Sequence, residues 1–112
     1  MGHQHKSLAA GRWAEMPFVE QMANIGSEIS RALNWKNKKK EEYCLKAVVR
    51  ALELLSFTIE SVEINSHNKE LTRLREAIID YFYGSNEYGS TDALWEKYFY
   101  HFNVAARKDR NE

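Results

Sequence analysis

One cysteine, one proline and five glycines stand among 112 residues, and each scarcity excludes something. With Cys44 alone there is no internal disulfide, so stability must come from a packed core. A lone helical cysteine reads as a small apolar filler, and no histidine stands near it in sequence to activate the thiol. So few glycines and prolines cannot supply the turns of an all-β sandwich. Formal net charge is zero, which removes any bulk pull toward nucleic acid or an anionic membrane and favours self-association over colloidal repulsion. No stretch approaches the ~18 apolar residues of a membrane helix. Residues 1–12 lack the apolar centre of a signal peptide, so the chain reads as cytoplasmic.

Chemical motifs are missing as well. There is no glycine-rich phosphate loop, no G-x-S-x-G and no HExxH. Neither His67 nor His101 follows a glutamate by three residues, as the di-metal helical proteins require. The Arg-to-His spacing of small helical ribonuclease-like toxins is absent. No metal, no cofactor and no catalytic residue is therefore expected, and His3 and His5 offer at most a stray ion site.

What is present is helical periodicity. With 44% hydrophobic and 29% charged residues the chain has the composition of one ordinary domain. Residues 1–12 are expected to be a mobile segment, 13–107 the folded domain and 108–112 a polar tail. A first helix is expected over 17–33, with Phe18, Met22, Ile25, Ile29 and Ala32 on one stripe. Gly26 and Ser30 flank that stripe and invite a close neighbour. A second helix over 38–62 carries two stripes, Leu45–Val48–Leu52–Leu55–Ile59–Val62 and Tyr43–Ala47–Ala51–Leu54–Thr58, so it should be buried on more than one side. A third over 69–83 turns Leu71, Leu74 and Ile78 inward. A fourth begins after Ser90 or Thr91 and runs to about 107, with Leu94, Tyr98, Phe102 and Ala105 as its stripe. The expected fold is all-α: an antiparallel four-helix bundle that self-associates.

Three groups of residues are candidates for function. Asn24, Glu28 and Arg31 share a helical face and form either a surface pair or a polar network joined by Arg73 and Asp80. The run NEYGSTD (86–92) reads as a structured corner, with Gly89 left-handed, Asn86 in an Asx turn and the Tyr88 hydroxyl folded back. The segments DYFYG and KYFYHF hold more rings than one small core readily absorbs. That makes Tyr81, Tyr83, Asn86, Tyr88, Trp95, Tyr98 and Phe102 a candidate partner surface. Lys36, Lys38, Lys39 and Lys40, with Arg107 and Arg110, are candidate nucleic-acid contacts, although Glu41 and Glu42 dilute the lysine cluster.

The pattern running from GRWAEMPFVEQMANIGSEISRALNWKNK to DALWEKYFYHFNVAAR, with NIGSE and NEYGST as its specific elements, resembles a family of small prokaryotic proteins of unknown function. That resemblance implies a helical domain and no activity. At the level of architecture the chain is similar to the four-helix bundles of ribosomal intervening sequences and to accessory variability-determinant proteins. The sequence thus favours a non-enzymatic accessory or scaffold protein acting through homo-oligomerisation and a protein partner. An RNA- or DNA-associated module using the basic patches is the alternative. A third reading is an enzyme whose acid–base groups, such as Glu28, Arg73 and Asp80, meet only on folding.

Overall fold

The computed structural model describes residues 11–61 and 66–111, and every regular element among them is helical. A short helix α1 covers 11–15. Four long ones follow: α2 (Phe18–Asn37), α3 (Glu41–Ser61), α4 (Ser66–Phe82) and α5 (Asp92–Asn111). The remainder of the segment expected to be mobile, residues 1–10, lies outside the described residues. Residues 11 and 12, assigned to the same segment, are already helical.

α2 starts directly after Pro17, whose φ of −56° and lack of an N–H suit a helix entrance. It continues four residues past the expected end and stops at a Schellman turn. The Lys40 amide reaches the Trp35 carbonyl at 2.9 Å and the Lys39 amide reaches that of Lys36 at 3.0 Å. Lys39 takes the left-handed conformation, φ 61°, where glycine is commonest. Nothing in the local sequence marks that position, which is why the expected helix α3 began three residues too early, at Lys38. Lys38 lies 5.4 Å over the Trp35 ring, and Trp35 in turn packs on Tyr43 at 4.9 Å.

The expected stripe of α2 is the core: Met22, Ile25, Ile29 and Ala32 are all buried, joined by Leu33. α3 buries Cys44, Ala47, Val48, Ala51, Leu55 and Thr58. Its inward face therefore runs between the two stripes read from the sequence, along its small residues. Leu45, Leu52, Leu54 and Ile59 flank it half-buried, and Tyr43 points outward. α4 turns Leu71, Leu74 and Ile78 inward as expected. On α5 the buried line is Trp95, Phe99 and Ala106 with Phe102 half-buried, so the helix is rotated by about one residue and Leu94 is exposed.

α2 lies along both α3 and α5, and α3 also lies along α4. The Phe18 ring meets His67 at 5.0 Å and Phe102 at 6.1 Å, so the start of α2 lies beside the start of α4 and the middle of α5. Lys36, Tyr81 and Asp92 meet at the other end of α2. Neighbouring helices therefore alternate in direction. α2 and α5 approach closely at Gly26: a Cβ there would stand 2.7 Å from the Phe99 Cβ and 2.8 Å from its ring. By contrast the backbones of α4 and α5 scarcely approach each other, and long side chains bridge that seam instead.

α1 is held by Trp13 and Gln21, neither of which stood out in the sequence, and by Thr58 of the second α3 stripe. The Trp13 indole is buried and donates to Thr58 Oγ1 at 2.7 Å. Gln21, buried on α2, donates through Nε2 to the carbonyls of Trp13 at 2.9 Å and Met16 at 3.0 Å.

Two substitutions test this account by urea denaturation. Gly26→Ala gains about 1 kcal/mol of helix propensity but drives a methyl into the root of Phe99. Overpacking of this kind costs about 1–3 kcal/mol, so a net loss is expected; a more stable variant contradicts the close approach. Lys39→Gly relieves the left-handed backbone and is expected to gain about 0.5–1 kcal/mol.

Candidate functional site

The NEYGSTD corner is built on Asp80, which the sequence analysis assigned elsewhere. The Asp80 carboxylate accepts the amides of Glu87 at 2.8 Å and Tyr88 at 3.0 Å. Its carbonyl accepts those of Gly84 at 3.1 Å and Asn86 at 3.2 Å. Asn86 is itself left-handed at φ 58°. Its side chain clamps Ser90 from both sides, accepting the Ser90 amide at 2.8 Å and donating to the Ser90 carbonyl at 3.0 Å. Gly89 takes φ 65°, and its amide reaches the Asn86 carbonyl at 3.1 Å. The Tyr88 hydroxyl folds back to donate to Glu76 at 3.0 Å, an acceptor that raises the Tyr88 pKa. Thr91 Oγ1 then accepts the Leu94 amide at 3.1 Å and caps α5.

A polar triad ties this corner to α2. Lys36 Nζ lies 2.9 Å from Asp92 and 3.0 Å from the Tyr81 hydroxyl, and Tyr81 donates to Asp92. Burial pushes the Asp92 carboxyl up, but the bonds from Tyr81 and Lys36 and the lysine charge outweigh it, and the net pKa is lowered. The bond to Asp92, then that to Tyr81, raises the Lys36 pKa. Burial first, then the bond to Asp92, raises the Tyr81 pKa.

The residues expected to form one polar network occupy separate places. Glu28 is 7% exposed, accepts from Arg31 on its own helix and has Arg50 of α3 at 3.8 Å, an ion pair too long for a hydrogen bond. Asn24 is exposed and bonds back to the Glu20 carbonyl at 2.9 Å. Arg73 and Asp80 are on α4, the latter committed to the corner. The Cys44 thiol is buried, and burial pushes its pKa up, as an apolar filler requires.

The candidate nucleic-acid residues divide between two ends. Lys36 is bound to Asp92 and Lys38 lies over Trp35, whereas Lys39 and Lys40 are exposed at the turn. Arg107 is exposed near the far end of α5, roughly 22 Å along the helix from Asp92 at 1.5 Å per residue. The side chain of Arg110 lies outside the described residues.

The candidate partner surface is partly consumed by the core. All eight Phe and Trp rings are buried or half-buried, and the exposed rings are Tyr43, Tyr83, Tyr88 and Tyr100. Trp95 is only 5% exposed. Tyr81, Tyr98 and Phe102 are half-buried, as is Asn86. The ring surplus read from the sequence therefore reduces to four tyrosines.

The open seam between α4 and α5 forms a groove of about 1100 Å³. Leu74, Ala77, Leu94, Trp95 and Tyr98 give it an apolar floor, and Tyr88 and Ser90 of the corner close one end. The Tyr98 hydroxyl crosses the seam to Glu70 at 2.9 Å. Burial, then that bond, pushes its pKa far up, so the phenol stays a donor. Among the described residues no three His, Cys, Asp or Glu side chains gather to hold a metal ion, and no helix is long and apolar enough to cross a membrane.

No protein-family model matches the chain, and no curated protein or solved structure matches it. The resemblance carried by NIGSE and NEYGST thus rests on those motifs alone and supplies no function.

The Lys36–Asp92 pair sets a pH dependence. A depressed carboxylate stabilises above its unfolded pKa, about 3.9, and its contribution is lost as pH falls through the lower folded value. A raised lysine contributes below about 10.4 and is lost above it. Lys36 and Asp92 side chains are 43% and 32% exposed, so solvent screening keeps the pair near 0.2–1 kcal/mol, the usual surface value. Asp92→Asn is expected to cost about that much at neutral pH. The gap from the parent protein in pH-resolved denaturation should close below about pH 4. A gap that persists in acid contradicts the assignment.

Proposed function

We propose that this chain is a non-enzymatic accessory or scaffold protein, an antiparallel four-helix bundle left open along one seam, that lodges part of another protein between α4 and α5. One observation carries the reading. Along the seam an apolar floor that includes the exposed Leu94, with the exposed Tyr88 at one end, is left uncovered by the chain's own helices. Tyr83 and Tyr100 are exposed away from it and line none of it.

The groups that acid–base chemistry would need are committed elsewhere. Asp80 holds the corner, Glu70 and Glu76 each accept a tyrosine hydroxyl, and Glu28 is paired with arginines. This supports a binding role over an enzymatic one. A nucleic-acid role draws less support, because the two basic groups lie at opposite ends and Lys36 is already paired. Self-association belongs to the same proposal and falls to the outward tyrosines Tyr43, Tyr83 and Tyr100.

Photo-crosslinking tests the docking role. A benzophenone amino acid at Leu94, in the native cells, is expected to give one discrete protein adduct. The same group at Val49, exposed on α3 away from the groove, should not. Equal labelling from both positions, or none from Leu94, overturns the reading. Sedimentation velocity at tens of micromolar tests self-association: a species heavier than the 13.1 kDa chain is expected, and a monomer at every concentration removes that part.

A further inference from the structure

The polar rim of the α4–α5 groove is not balanced. Its two carboxylates, Glu70 and Glu76, each already accept a tyrosine hydroxyl. Its three cations, Lys69, Arg73 and Lys97, enter no hydrogen bond or ion pair with other described residues. The hydroxyl protons of Tyr88 and Tyr98 are donated to those carboxylates. Beneath the rim, Trp95 is 5% exposed and its Nε1–H is buried without an acceptor. The rim thus sets three cations without an ion-pair partner against two carboxylates, an excess of positive charge over an apolar floor.

Its dimensions narrow the occupant. From Lys69 to Ala77 on α4, and from Leu94 to His101 on α5, each wall is roughly 10–12 Å long at 1.5 Å per residue. That is about two turns of helix, and the corner blocks one end. The space is open along its length and, at about 1100 Å³, exceeds the roughly 300–1,000 Å³ of an ordinary small-ligand pocket. An α-helix with side chains is about 10–12 Å across and rests naturally in a trough between two others, anchored by apolar residues at i, i+3/i+4 and i+7.

We propose that the groove between α4 and α5 receives a two-turn acidic amphipathic helix of a partner protein, its apolar side on Leu74, Ala77, Leu94 and Trp95 and its carboxylates on Lys69, Arg73 and Lys97. This rests on the docking role proposed above and adds the chemistry of the partner. Opposite charge across an exposed rim acts mainly on specificity and association rate, so sign selectivity is the property to measure.

The test uses the full chain and fluorescence anisotropy. The probe is a labelled synthetic helical peptide of about three turns, with leucines at i, i+4 and i+7 and glutamates on the flanks. The comparisons are the same peptide with every glutamate replaced by lysine, and a labelled single-stranded oligonucleotide. The acidic peptide is expected to bind about tenfold or more tighter than the basic one, a difference of about 1.4 kcal/mol, and to weaken with salt. Arg73→Glu with Lys97→Glu changes two exposed side chains and is expected to reverse the preference. Leu94→Asp should abolish binding of the acidic peptide, with circular dichroism confirming that both variants are folded. Equal binding of the two peptides, an acidic preference unchanged by the charge reversal, or binding of the oligonucleotide alone overturns the proposal. If Leu94 crosslinks to a protein while the peptides are not told apart, the docking role stands and the acidic occupant falls. A crosslinked adduct of twice the chain mass identifies a second copy as the occupant and overturns the partner helix.

Discussion

The arrangement depends on Phe99 standing against Gly26. A helix presents a Cβ at every position except glycine, so the absence of one on α2 lets the root of a phenylalanine side chain sit at the helix backbone. This seats α5 firmly on α2. It also fixes the rotation of α5: once Phe99 faces α2, Trp95 and Ala106 follow it inward and Leu94 turns out. Gly26 is poor for helix propensity, and the close approach offsets that cost.

The open seam is the other side of the same contact. α2 holds α5 on one flank and α3 on the other, and α3 holds α4. With α5 drawn against α2, the distance left to α4 is spanned by side chains: Tyr81 to Trp95 at 5.9 Å, and Tyr98 to Glu70 at 2.9 Å. Bridging of this kind keeps α4 and α5 in register without closing the space between them. The groove is a product of helix packing and needs no dedicated loop or insertion.

The sequence made the helices legible, along with the inward faces of α2 and α4, because apolar residues at helical spacing leave few alternatives. It was a poor guide to rotation on α3 and α5. On α3 two apolar stripes compete, and the small residues Ala47 and Ala51 take the centre because they let α2 approach, a tertiary preference that hydrophobicity alone does not rank. On α5 the decision belongs to Gly26, which lies more than seventy residues away in the chain. The corner was readable through Gly89, Asn86 and Tyr88. Its organiser, Asp80, was not, because its partners are backbone amides that carry no residue identity. Asn24, Glu28, Arg31, Arg73 and Asp80 looked like one set by type, yet nothing in their spacing says which helices will be neighbours. Trp13 was hidden because the residues around it, AAGRWAEMP, carry no helical stripe, although Thr58, a hydroxyl in an apolar stripe, was the available sign that a donor had to come from somewhere.

The corner also bears on the thermodynamics of recognition. The amides of Tyr83, Gly84, Asn86, Glu87, Tyr88, Gly89 and Ser90 are all satisfied within it or by the helix end before it. Asn86 is held in a left-handed backbone conformation that has few neighbours in φ/ψ space for a residue with a Cβ. A segment so constrained has little freedom left to surrender when something docks beside it. Immobilising a loose loop or a rotamer-rich side chain at an interface costs about 0.5–1.5 kcal/mol each. The corner has met that expense during folding, so the groove it terminates is preorganised, and a chain docking under the proposed role would have mainly its own disorder to give up.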